Sequence, residues 1–404
     1  MRGRARTDSW TFLLGEIAIY SLAVLVVTGI FLMFFFDPDA TQVVYDGSYT
    51  LLRGVPVSKA FASMLEVSFE VRGGLLARQV HHWATLVFTA TVCLHLLRLF
   101  FTGAFRRPRG LNWLIWIGLF TLGMAAGVTG GILPDDMLSG GSVSLLRAVT
   151  QAIPVVGTWL AQPLYGDHVI PLLYWIHVLF LPSIMAGLLV FQQRLPKRHG
   201  YSLRSLALFF ATCGVLTLLA TAAQVNPVWL YGPHQPGQIS AGSVPAWYMG
   251  FLDGAIRIMP AWEPIVWGHP LSLSVLIPAL VVPGAFFMAL AAYPLLDRRL
   301  SGGRTTLDRP REAAGRTALG AAGATFYVIL WVAASNDQLA FHFDLSLFAV
   351  TRFFRIAVFV GPVVAFEVTR RLCLALQRQE LEPLETGIIR RTLKGGYTEE
   401  YQNV

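Results

Sequence analysis

Charged side chains are scarce in this chain. Asp, Glu, Lys and Arg make up 13% of its 404 residues and hydrophobic residues 55%, far from the balance of a soluble domain. Cysteine is rarer still: Cys93, Cys213 and Cys373 all fall in or at the ends of apolar runs. They form no C-x-x-C-H, so a covalently attached c-type haem is not encoded, and no disulfide framework is expected. Internal repeats and low-complexity tracts are missing as well. The amino terminus is short and basic, and the first apolar run is of full span length without a small-residue cleavage site. No cleavable signal peptide is expected there.

What the chain has instead is a series of apolar runs of the length a bilayer demands, about 20 residues each. They cover Phe12 to Phe36, Leu75 to Phe101, Leu111 to Leu133, Val169 to Phe191, Ser205 to Ala223, Leu271 to Leu296, Leu319 to Ala334 and Leu347 to Leu374. These are called here the first to eighth spans, and the fold class they predict is an all-α integral membrane protein. Val143 to Trp159 is too polar to cross and is expected to lie along a surface, and a Pro/Gly/Trp-rich loop fills Asn226 to Pro270. The pI of 9.6 does not signal nucleic acid, because the basic residues gather in alternate loops. Arg2, Arg4 and Arg6, Arg106, Arg107 and Arg109, Arg194, Lys197 and Arg198, Arg298, Arg299, Arg304, Arg309 and Arg311, and the tail are on one side; Asp37, Asp39, Asp135, Asp136 and Asp337 are on the other. The positive-inside bias then puts both termini in the cytoplasm.

Within the second span three histidines interrupt the apolar run: His81, His82 and His95. An ionisable ring at membrane depth is costly and marks a functional site by default. His81 and His95 are fourteen residues apart, nearly four turns, so both project from one face about 21 Å apart along the axis. Each imidazole has a nitrogen to offer a haem iron. His177 on the fourth span is the natural partner for His81. A partner for His95 would fall at position 191 or 192, which hold Phe191 and Gln192. One iron site is complete and the other is broken.

The stretches LLGEIAIYS, FEVRGGLLARQVHHWA, RLFFTGAFRRPRGLNW, LPDDMLSG, AGSVPAWYMG and LETGII resemble, in order and through essentially the whole chain, cytochrome b of the quinol–cytochrome c reductases, most closely the actinobacterial form. The resemblance implies eight transmembrane helices, the first four forming a haem-binding bundle, with an outer quinol site and an inner quinone site. It divides the chain into a bundle at 1–200, a second domain at 201–376 with its quinol loop at 226–270, and a cytoplasmic tail at 377–404. His81 and His177 would ligate the outer haem iron, with Arg78 pairing a propionate and Gly29 and Gly130 giving clearance for the macrocycle. His82, about a quarter-turn away, is expected to serve packing or hydrogen bonding.

At the inner site the family pattern keeps Gly15, His95 and Arg98, but Trp116 stands where a second clearance glycine belongs and Gln192 where the ligand belongs. Two changes at one depth point to loss of the inner haem. A dry haem-sized hole of several hundred cubic ångströms would cost on the order of 10 kcal/mol, so something must fill it, and Trp116 is the first candidate. A five-coordinate haem, or one weakly ligated by Gln192, is the alternative. His199 lies beyond Pro196, too far along to substitute.

The family's outer quinol pocket uses a Pro-acid-Trp-Tyr motif whose carboxylate serves as general base. Here it reads Pro245, Ala246, Trp247, Tyr248: the frame persists without the acid. Asp135 and Asp136 remain as pocket candidates, with Asp253 and Glu263 as possible neighbours. The implied function is the electron-transfer subunit of a quinol–cytochrome c oxidoreductase, holding one haem b and using quinone, with menaquinol as the expected form. Its partners would be a Rieske iron–sulfur subunit, a c-type cytochrome, the lipid bilayer and a second copy as homodimer, in the plasma membrane. The competing reading is a mono-haem paralogue with an accessory or assembly role. Solute transport is weaker, because no broken-helix repeat pair is visible.

Overall fold

The computed structural model describes residues 13–193, 203–238, 243, 245–303, 305–381, 388–391 and 397–400. Arg2, Arg4, Arg6, Arg194, Lys197, Arg198, His199 and Arg304 lie outside them, so the basic amino terminus and the loop after the fourth span stay as sequence expectations. Among the described residues, eight helices are long and apolar enough to cross a membrane: Leu14–Met33, Gly74–Thr102, Gly110–Ile132, Gly166–Gln192, Leu203–Ala222, Leu273–Leu300, Pro310–Ala333 and Leu347–Arg378. They match the eight runs read from the sequence. The seventh departs most, starting at Pro310 rather than Leu319, because its first turns hide a charged residue, Arg316, in an ion-pair network. Strands are confined to two-residue to four-residue pieces in three antiparallel hairpins. The protein is an all-α membrane fold.

Two spans contain a π-helical turn, Ile176–Phe180 in the fourth and Ile277–Val281 in the sixth. Each is followed at once by a proline-bearing helix start, Pro182 and Pro283. A proline has no N–H for the carbonyl four residues back and its ring crowds that carbonyl, so the preceding hydrogen bonds slip to a longer register. The fourth span thereby gains one extra residue between His177 and its far end.

The connecting segments carry short helices. Lys59–Phe69 starts where Ser58 accepts from Phe61 N at 3.2 Å, and Met137–Gln151 starts where Asp136 accepts from Ser139 N at 2.8 Å, both ordinary N-caps. The second of these, with Gly157–Ala161, is the surface stretch expected at Val143 to Trp159. The long Asn226 to Pro270 loop is more ordered than its composition suggests, holding helices Val228–Tyr231 and Gly250–Ile258.

The end of the bundle bearing His95 is bolted to the later spans by four buried charges. Arg106, between the second and third spans, pairs with Asp297 and with Asp308, each at 2.7 Å, and Arg316 reaches Asp308 at 3.1 Å. Trp113 Nε1 adds a bond to Leu290 O at 3.0 Å. The loop carrying Arg106 and the last turn of the sixth span, which carries Arg298, therefore share one face, here the basic face; the LPDD segment lies on the opposite, acidic face.

Candidate functional site

The first four spans bring His81 and His177 together near the acidic face, with ring centres 6.2 Å apart. Two imidazoles bound to one metal have about that separation, with a metal–nitrogen bond of about 2.0 Å and about 1.1 Å from nitrogen to ring centre on each side. The surroundings also fix which nitrogen is available. Thr28 Oγ1 spends its proton on Val24 O at 2.7 Å, so it accepts from His81 Nδ1 at 2.9 Å. His177 Nδ1 donates to the Ala126 carbonyl at 3.0 Å, which can only accept. Both rings are thus held with the proton on Nδ1 and the lone pair on Nε2, the arrangement that outer hydrogen bonds impose on metal-binding histidines.

Glycine makes the approach possible on both sides. A Cβ on Gly29 would come within 3.3 Å of His81 Cε1, and one on Gly130 within 2.5 Å of His177 Cε1. Arg78, one turn before His81, donates through Nη2 to Asn226 O and stands 5.9 Å from the Trp229 ring. Its Nη1 is buried with no partner, an orphaned cationic donor beside the ring pair that an anionic group would satisfy. The residues fit a haem with two axial imidazoles and a propionate at Arg78.

The matching depth toward the basic face is built differently. Trp116 is 3% exposed, and its ring lies 4.4 Å from that of His95, tilted by 51°. A Cβ on Gly15 would meet His95 at 3.1 Å and Trp116 at 3.3 Å, so the clearance kept by this glycine is already used by the two rings. His95 Nδ1 is buried and unpartnered; nothing here plays the part of Thr28 or Ala126. Gln192 Nε2 donates to Asn112 Oδ1 at 2.7 Å, one turn from Trp116, while Phe191 is 44% exposed on the outside. The extra residue of the π turn explains why Gln192, not Phe191, is the inward position. Arg98 follows His95 by one turn, partly buried.

The Pro245–Tyr248 segment packs onto the third span. Tyr248 is buried with its hydroxyl against Gly127, one turn from Gly130, and burial pushes that hydroxyl's pKa up to about 12. Trp247 is anchored by Tyr327, whose hydroxyl donates to its carbonyl at 3.1 Å. Neither neighbouring acid is free to act here. Asp253 is paired with Arg257 at 2.7 Å, and Arg257 with Asp337 at 2.9 Å; Glu263 is exposed and accepts from Ser274 at 3.3 Å. Asp135 and Asp136 sit instead at the end of the third span, and burial raises both carboxyls above the usual range. Sequence reasoning missed Thr28, Asn112 and the Asp253–Arg257 pair. A threonine 53 residues from its histidine leaves no local signal.

Comparison with known proteins gives the family and the fold. The family described as cytochrome b(N-terminal)/b6/petB matches residues 86–233. The cytochrome bc1 complex cytochrome b subunit of Streptomyces coelicolor is 42% identical over 98% of this chain and 78% of its own length. That of Mycobacterium tuberculosis is 43% identical over 97% and 78%. A solved structure titled hyperthermophilic respiratory complex III shares the fold, with a TM-score of 0.61 at 17% identity over 90% of this chain and 94% of that one. With more than two-fifths of its residues shared along nearly its whole length, the chain belongs to the cytochrome b subunits of cytochrome bc1 complexes.

Proposed function

We propose that this subunit holds a single b haem between His81 and His177 and receives onto it an electron from a quinol bound at the acidic face. The observation that carries the reading is the contrast between two depths of one bundle. At one, two histidines stand a metal's width apart, each with Nδ1 engaged; at the other, an indole lies on the lone histidine and an amide pair fills the ligand position. When bound, the haem supplies a one-electron acceptor. The chain's own residues do the rest. Thr28 and Ala126 hold the imidazole tautomers, Arg78 neutralises a propionate, Gly29 and Gly130 admit the flat ring, and Tyr248 stays protonated as a hydrogen-bond donor beside the third span.

The acidic face is then the outer one, with both termini cytoplasmic, in a multi-pass protein of the plasma membrane; the basic residues Arg106 and Arg298 support that orientation. Residues 1–200 form the haem bundle, 201–376 the second domain with the quinol loop at 226–270, and 377–404 the cytoplasmic tail. The relatives are named as subunits of a bc1 complex, which supports assembly into such a complex; a Rieske iron–sulfur protein and a c-type cytochrome as partners, menaquinol as reductant and a homodimer belong to the same proposal. A second reading, an accessory or assembly paralogue without turnover, is favoured by Ala246 together with the Arg257-bound state of Asp253, which leave the motif without its acid.

The test is haem per polypeptide on the purified complex, by pyridine haemochrome, with the low-temperature α-band resolved. One b haem per chain is expected. Two haems with distinct bands overturn the single-haem reading, and a colourless chain overturns haem binding altogether.

A further inference from the structure

The protons of quinol oxidation need an acceptor that position 246 does not provide. Several carboxylates at this face are exposed or already committed. Asp37 lies on the surface; Asp39 is tied to Lys59 at 2.8 Å; Asp253 and Asp337 are tied to Arg257. A mixed pair stands where the third span meets the loop following the fifth. His234 N donates to Asp135 O at 2.9 Å, Met137 N to Gly232 O at 3.1 Å, and Asp136 bridges to Pro233. These bonds hold the His234 backbone against the LPDD segment. Its ring lies on Gly140, where any Cβ would collide with it, and its Nδ1 is buried without a hydrogen-bond partner. The residue is half-buried, at the boundary between the interior and solvent.

We propose that Asp135 and His234 form the proton-exit pair of the outer pocket, in place of the carboxylate missing at Ala246. This rests on the quinol reading above. As a quinol is oxidised, its two electrons leave to the b haem iron and to the iron–sulfur partner. Its two O–H bonds break with the protons passing to an Asp135 carboxylate oxygen and to the His234 imidazole, and from there to water. The groups facing the pair are few. Ser58 donates to Asp135, and burial with the neighbouring Asp136 keeps that carboxyl proton-affine, while the charge of His234 opposes them. Asp136 is itself committed as the cap of Ser139 N and Oγ, both at 2.8 Å, and faces Arg78. A carboxyl that holds protons above the usual range, beside an imidazole whose Nδ1 is buried without a partner, is suited to accept one proton and pass on the next.

The experiment uses the purified complex in detergent, reduced with a short-chain menaquinol, and follows haem reduction by stopped flow from pH 5.5 to 8.5. Dithionite reduction of the same samples reports haem content and fold. His234→Gln and Asp135→Asn should each slow quinol-driven reduction, the double variant by about a hundredfold at neutral pH. The KM for quinol and the dithionite spectrum should stay unchanged, and the acid limb of the pH profile should flatten. Asp135→Glu should recover most of the rate. Should His234→Gln lose its haem, Asp135→Asn decides alone. Unchanged rates and pH profiles in the substituted complexes overturn the assignment. Haem in the unsubstituted complex that dithionite reduces but quinol does not overturns the quinol reading, and the pair with it.

Discussion

The side-chain amide of Gln192 donates to Asn112 Oδ1 at 2.7 Å, joining the third and fourth spans at the depth where the family carries its second iron. Asn112 and Trp116 lie one turn apart on the third span, so a single helix face holds both Gln192 and the His95 ring. The inner half of the bundle is closed by one amide hydrogen bond and one ring stack, with His95 Nδ1 and Gln192 Oε1 left buried without a partner. Removing any one member is therefore a packing change as well as a chemical one.

Building a second ligand pair at this depth tests that arrangement directly. Gln192→His alone should bind no second haem, because Trp116 still lies on His95. Gln192→His with Trp116→Gly should give a second b haem, seen as a doubled haemochrome yield and a new α-band. A double variant that folds with one haem refutes this account of the loss.

Trp116→Gly by itself should destabilise the bundle. Truncating a buried tryptophan costs about 3–5 kcal/mol, and glycine in a helix interior adds about 1 kcal/mol relative to alanine. The thermal midpoint in detergent, followed by the outer haem's Soret band, should fall, while the band position at 25 °C stays put.

The two histidines of the second span should differ sharply on removal. His81→Ala or His177→Ala should abolish the b-type spectrum, whereas His95→Leu should leave haem content per chain and the α-band unaltered. Loss of haem in His95→Leu, with the helical circular dichroism intact, would place an iron at the inner depth.

The buried charges on the basic face are exposed to a different failure. Asp297 is 5% exposed and pairs with both Arg106 and Arg316. Asp297→Asn leaves two guanidinium groups with Asp308 as their remaining carboxylate. Breaking one partner of such a buried set costs about 3–5 kcal/mol. The expected readout is early thermal separation of the later spans, measured as protease access to the loop after the sixth span before haem is lost.

On the acidic face the Asp39–Lys59 pair governs a local opening. The Lys59 ammonium and the Thr41 hydroxyl and N–H hold the Asp39 carboxyl well below its ordinary value. A depressed carboxyl contributes its stability above the unfolded value of about 3.9, and that contribution is lost as pH falls below it. Exchange of the Thr41 amide, bonded to Asp39 Oδ1 at 2.9 Å, should quicken only as the pH drops through that range. Asp39→Asn should remove the dependence.

Much of this was legible in the residues. Runs of about 20 apolar positions report their own spans, and histidines in such runs declare themselves, so the eight crossings and the His81–His177 pair follow from pattern alone. The helix Lys59–Phe69 did not declare itself, since it is short and its one start signal is Ser58. Gly250–Ile258 was hidden inside a Pro/Gly/Trp-rich stretch. The start of the seventh span was masked by Arg316, whose charge reads as loop until Asp297 and Asp308 are seen around it. Whether position 191 or 192 faces inward turned on a π turn, and helical periodicity carries no mark of one.

That widened turn at Ile176–Phe180 also acts as the indexing element of the fourth span. Deleting one residue from it would let the span close into an ordinary α-helix with fourteen steps from His177 to Gln192, nearly four whole turns, so Gln192 would keep its place against Asn112 and Phe191 would stay on the outside. The same deletion placed beyond Phe180, where the helix is already regular, would turn everything after it by about 100° and rewrite the basic-face half of the bundle while leaving His177 where it stands.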